Sequence, residues 1–64
     1  MERYAMMYEA IIVTLEGGVT VTNPTGMFFA NLAQCVTSVY NASHQLVTEG
    51  HAVVGAYCLL GMPS

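Results

Sequence analysis

Thr25–Glu49, TGMFFANLAQCVTSVYNASHQLVTE, is the stretch whose reading decides the fold. On a helical wheel Phe28, Leu32, Cys35, Val36, Val39, Leu46 and Val47 fall on one side. This is the i, i+3, i+4, i+7 spacing of an amphipathic helix. Asn23-Pro24-Thr25-Gly26 precedes it, with Asn23 or Thr25 as the expected cap and Pro24 tolerated early in the first turn. Gly50 suits a left-handed stop. The spacing therefore predicts a helix of roughly six turns, about 35 Å long.

The far face of this helix carries Asn31, Gln34, Thr37, Ser38, Asn41, Gln45 and Thr48, none of them charged. Solvated helix faces are usually built from Lys, Glu and Arg, which favour helix. Asn, Ser and Thr are poorer helix formers, but they desolvate more cheaply than charges when they find partners. The face is thus either a plain solvent face in a charge-poor protein or a surface that meets something. Ser43 interrupts the apolar stripe, where a small residue admits a close neighbour or bonds back to its own helix; the back-bond is preferred.

Sixty-four residues make one domain at most, taken here as residues 1–64. Of these, 55% are hydrophobic and 8% charged. A chain this short buries only about 60% of its unfolded surface. Self-association is the expected remedy, because oligomer interfaces resemble a core cut in half. The chain has no Lys, and Arg3 is its only cation besides two His. The formal net charge is −3, which argues against a nucleic-acid polymer as partner. A free nucleotide is not excluded. The longest apolar run, Ala52 to Met62, is too short to span a bilayer as a helix, and no basic amphipathic face exists to dock on one. Met1-Glu2-Arg3 does not open a signal peptide, so the expected setting is cytoplasmic, with Cys35 and Cys58 as reduced core thiols.

Glu2–Glu16 has two readings. As a helix it aligns Tyr4, Met7, Tyr8, Ile11 and Leu15, with Glu2, Glu9 and Glu16 opposite. As a hairpin it turns through a three-residue Glu16-Gly17-Gly18 loop that pairs Leu15 with Val19 and Thr14 with Thr20. The run Ile11-Ile12-Val13-Thr14 favours strand; the Ala, Met and Glu at the start favour helix, and the helix is preferred. Val19–Thr22 is a short strand in either case. His51–Leu60, HAVVGAYCLL, reads either as a strand buried on both faces or as a short helix with Gly61 as its stop; Val53, Val54 and Tyr57 favour the strand. The fold class expected is α+β: an N-terminal helix or hairpin strand, a short strand, a long central helix and a C-terminal apolar strand, completed by oligomerisation.

Chemistry is thinly represented. Cys35, His44, His51 and Cys58 lack the closely spaced pairs of a zinc site. A Cys–His nucleophile pair lacks an orienting group and an oxyanion site. The glycines form no phosphate loop. No cofactor and no catalysis are expected. The sequence instead suggests a homo-oligomer that sequesters a small polar ligand, such as a nucleotide derivative, between subunits. The candidate contacts are Asn31, Gln34, Asn41 and Gln45 as amides, Tyr40 or Tyr57 as a stacking ring, and His44 at the boundary of the two faces. The alternative is an inhibitor or adaptor offering an apolar patch or strand edge to a protein target. Size and pattern are compatible with a phage or mobile-element origin.

Overall fold

The structure, a computed structural model, describes residues 6–61. Strand β1 (Met7–Glu16) turns into β2 (Val19–Phe29), helix α1 (Leu32–Thr48) follows, and β3 (Ala52–Gly61) returns. The three strands form one antiparallel sheet in the order β2-β1-β3, with α1 packed on one face. The architecture is α+β.

The preferred helix at Glu2–Glu16 is not formed where the chain is described: Met7–Glu16 is the central strand. Glu2, Arg3 and Tyr4 lie outside the described residues. Long-range burial decides the contest. Ala10, Ile11 and Ile12 are consecutive and all buried, which suits a central strand flanked by β2 and β3 and defeats a one-sided helix stripe. The β-branched run then fits the pleat.

The hairpin itself is one residue tighter than expected. Glu16 pairs with Val19, Leu15 with Thr20 and Thr14 with Val21. Gly17 and Gly18 alone make the turn, with φ of 59° and 81°. Two consecutive left-handed residues give the turn whose twist matches the flanking strands, and only glycine adopts them without cost.

Strand β2 runs on through Asn23-Pro24-Thr25-Gly26, the stretch expected to turn into the helix. The turn chemistry is spent on a bulge. Ile11 pairs with Pro24 and Glu9 with Phe28, so Thr25, Gly26 and Met27 crowd opposite Ala10. Thr25 Oγ1 donates to the Ala10 carbonyl at 2.7 Å and accepts from Met27 N at 3.1 Å. Gly26, at φ 76°, donates its N–H to Glu9 Oε2 at 3.2 Å. Asn23, expected as a helix cap, instead donates through Nδ2 to Ile12 O, Thr14 Oγ1 and Val21 O. The expected helix start at Thr25 is therefore seven residues too early, and Phe28 belongs to the sheet.

The cap is Asn31, whose Oδ1 accepts from Ala33 N at 2.8 Å and Gln34 N at 3.3 Å. The stop is where the sequence put it: Gly50 has φ 97°, and the N–H groups of Gly50 and His51 close on Val47 O and Leu46 O. Ser43 does bond back, from Oγ to Val39 O at 2.7 Å. The core consists of Ala10, Ile12, Cys35 and Val39, flanked by Tyr8, Phe29, Ala42, Leu46, Val53 and Cys58. Leu32, Val36 and Val47, expected in that core, are about half exposed. The reason is width. The helix packs mainly on β1 and β3, and three strands cover only part of an apolar arc this broad.

The C-terminal strand is present, but it is an edge and not a strand buried on both faces. Val54, Tyr57, Leu59 and Leu60 stay exposed. The thiol expectation is also overturned. Cys35 and Cys58 form a disulfide, with Cα atoms 6.3 Å apart, that ties α1 to β3.

Candidate functional site

The disulfide removes both thiols from any metal or nucleophile scheme. Among the described residues no three His, Cys, Asp or Glu side chains are grouped to hold a metal ion. The described carboxylates have local partners: Glu9 takes the Gly26 N–H, Glu16 takes the Thr14 hydroxyl and Glu49 takes Gln45 Nε2. His44 and His51 are exposed.

Two concave places flank α1. The larger is an open cleft of about 510 Å³ lined by Phe29, Ala33, Gln34, Thr37 and Ser38. It lies where the end of β2 meets the first turns of the helix. The second, about 400 Å³, is a groove between α1 and β3 lined by Val36, Val39, Tyr40, Ser43 and Val53–Ala56. Neither contains a charged side chain. No described buried side-chain nitrogen or oxygen lacks a hydrogen-bond partner.

Of the six residues expected to bind a ligand, only Gln34 and Tyr40 line one of these places, one each. Gln34 lines the first cleft. Asn31 stands at its helix end, but its carbonyl oxygen is engaged by the cap. Asn41 and Gln45 continue the polar face, exposed, with Gln45 reaching Glu49 at 3.4 Å. Tyr40 is on the other flank, 71% exposed, in the second groove. His44 lies outside both linings. Tyr57 pairs with Ile11 on the sheet face away from the helix, so it cannot stack on anything bound at the polar face. Phe29 was not foreseen as a lining residue. Nothing local marks it; it reaches the cleft because β2 extends to it and the helix begins three residues later.

No protein-family model, curated protein or solved structure matches the chain. Among the described residues no helix is long and apolar enough to cross a membrane.

Asn31 gives this region a stability test. Asn31→Ala removes the acceptor for two free N–H groups and should cost about 1 kcal/mol. A urea melt reads it. A loss below a few tenths would mean that the helix start does not depend on the cap.

Proposed function

We propose that the protein is a non-enzymatic, homo-oligomeric binding protein that sequesters a small uncharged or base-containing molecule. The observation that carries this reading is the Phe29–Ser38 cleft: one aromatic ring, one amide and two hydroxyls around an uncharged hollow large enough for such a molecule. An aromatic face with neutral donors and acceptors suits a planar polar ring. It does not suit a phosphate chain, which needs cations or several convergent N–H groups. The first-choice contacts are therefore Phe29, Gln34, Thr37 and Ser38, with Asn41 and Gln45 further along the same helix face. No group in the cleft is placed to transform a ligand, so binding alone is the activity. Partnership with a nucleic-acid polymer or a membrane is no part of the proposal.

The cysteines bear on the setting. The start Met1-Glu2-Arg3 led to the expectation of a cytoplasmic location, and with it of reduced thiols. A Cys35–Cys58 disulfide supports an oxidising compartment instead.

Calorimetric titration of nucleobases, nucleosides, nucleotides and small metabolites tests the cleft. The parent should bind one class, and Gln34→Ala and Thr37→Val should each weaken it about tenfold, the worth of one neutral hydrogen bond. Unchanged binding in both variants would place the ligand elsewhere. No heat with any compound would favour the second reading, a protein target docked on a strand edge, which draws support from the open edge of β3.

A further inference from the structure

We infer that the open edge of β3 and the apolar flank of α1 beside it are the seat of a second copy of this chain, joined β3 to β3 about a twofold axis. The inference rests on the homo-oligomer proposed above and specifies its surface.

Among the described residues both outer strands of the sheet have free edges, but they are not equivalent. The β2 edge is blunted. Pro24 offers no N–H, and the Thr25–Met27 bulge breaks the ladder. The β3 edge has its one irregularity near its start, where Val54 is passed over between the Thr14–Val53 and Val13–Gly55 pairs. Gly55–Gly61 then runs in unbroken register with β1 and contains no proline or charge. Natural edges that must stay unpaired usually carry such blocks.

Beside this edge the helix exposes Leu32, Val36, Tyr40 and Val47, the part of its apolar arc that the sheet does not reach. The groove between them is lined by Val36, Tyr40, Val53 and Ala56 among others. The opposite sheet face is also apolar, with Leu15, Phe28, Tyr57 and Leu59 exposed. That face holds Glu9 on its central strand, opposite Phe28 and Leu59. Stacking two copies there would bury two carboxylates of an acidic protein, which is costly. The strip formed by α1 and β3 contains no charge at all. Two copies with formal charge −3 can meet along it without burying a carboxylate.

Spacing then selects a copy over an unrelated strand. Antiparallel pairing about an axis normal to the sheet leaves both helices on the same face of one six-stranded sheet. Each helix lies over β1 and β3. The two axes therefore stand about two strand spacings apart, ~10 Å. That is the separation of packed helices, 8–10 Å as a rule. The same symmetry that pairs the edges thus brings each exposed helix flank against its twin. A lone peptide strand would fill the edge and leave the flank bare.

Analytical ultracentrifugation of the full oxidised chain tests this with four variants. Leu60→Glu on β3 and Val36→Glu on α1 place like charges across the proposed axis. Each should weaken dimerisation about 100-fold or more. Val19→Glu on the β2 edge and Phe28→Ser on the open sheet face should leave it unchanged. Circular dichroism on each variant shows whether the fold survives, and two variants on separate elements guard against one failing to fold. A parent that stays monomeric would overturn both this inference and the oligomer reading. A dimer broken by Val19→Glu or Phe28→Ser, but not by Leu60→Glu or Val36→Glu, would overturn the β3 surface alone.

Discussion

Reduction of the protein, or Cys35→Ser, should lower its stability by about 3 kcal/mol, the value expected for a cross-link closing a loop of this length. The bond spans 23 positions and joins the first turn of α1 to the far half of β3. The helix is connected to β3 through His51 and is otherwise held on the sheet by a core whose other buried side chains are Ala10, Ile12 and Val39. A domain this small rarely has more than ~3–5 kcal/mol from its core alone. Losing the bond should therefore remove much of the total. Each kcal/mol is worth roughly 4–8 °C in a domain of this size, so a fall of about 12–24 °C is expected between oxidised and reduced samples. Equal melting temperatures would show that the disulfide contributes nothing. Two free thiols in protein isolated from an oxidising compartment would show that it does not form there.

Ile12→Ala should be the most damaging apolar truncation. Ile12 is 3% exposed on the central strand and packs under α1 in the core. Truncations of this kind cost about 2–5 kcal/mol at buried sites. That range spans the whole expected margin of the domain, so Ile12→Ala is expected to be unfolded or nearly so at room temperature. Val19→Ala, at an exposed position of β2, should change stability by less than about 0.5 kcal/mol. Leu32→Ala, which the sequence placed in the core, should show its effect mainly in dimer dissociation, because Leu32 is 48% exposed in the single chain. A folded Ile12→Ala with a melt like the parent's would mean that the helix does not rest on this strand.

The sequence was legible where local chemistry had one outlet. Gly50 had no competing role, and the helix ends there. The apolar run after it is a strand, as Val53, Val54 and Tyr57 favoured over a short helix, although its exposure at the sheet edge was not legible. It failed where one residue had two outlets. Asn23, Pro24, Thr25 and Gly26 have the composition of a turn into a helix, yet they serve as a bulge whose bonds go to Ile12, Ala10 and Glu9. Those partners are 11 to 17 positions away by chain, and no local pattern names them. Glu9 and Glu16 looked like a helix face because they are seven apart. In a strand their side chains fall on opposite faces of the sheet, and each bonds a different neighbour. The disulfide was not legible because its cysteines are 23 positions apart, and only the packing of α1 on β3 brings their Cα atoms to 6.3 Å. The polar face of the helix was legible as uncharged and exposed, but its cleft needed Phe29, which only the extended β2 supplies.

The central claim is that this fold is half of an assembly. Light scattering after size exclusion, on the oxidised chain at micromolar concentration, tests it most directly. The expected result is a single species of twice the 6.9 kDa chain mass, with the sheet and helix signals of a folded protein. A folded, soluble species at 6.9 kDa that persists as concentration rises would contradict it.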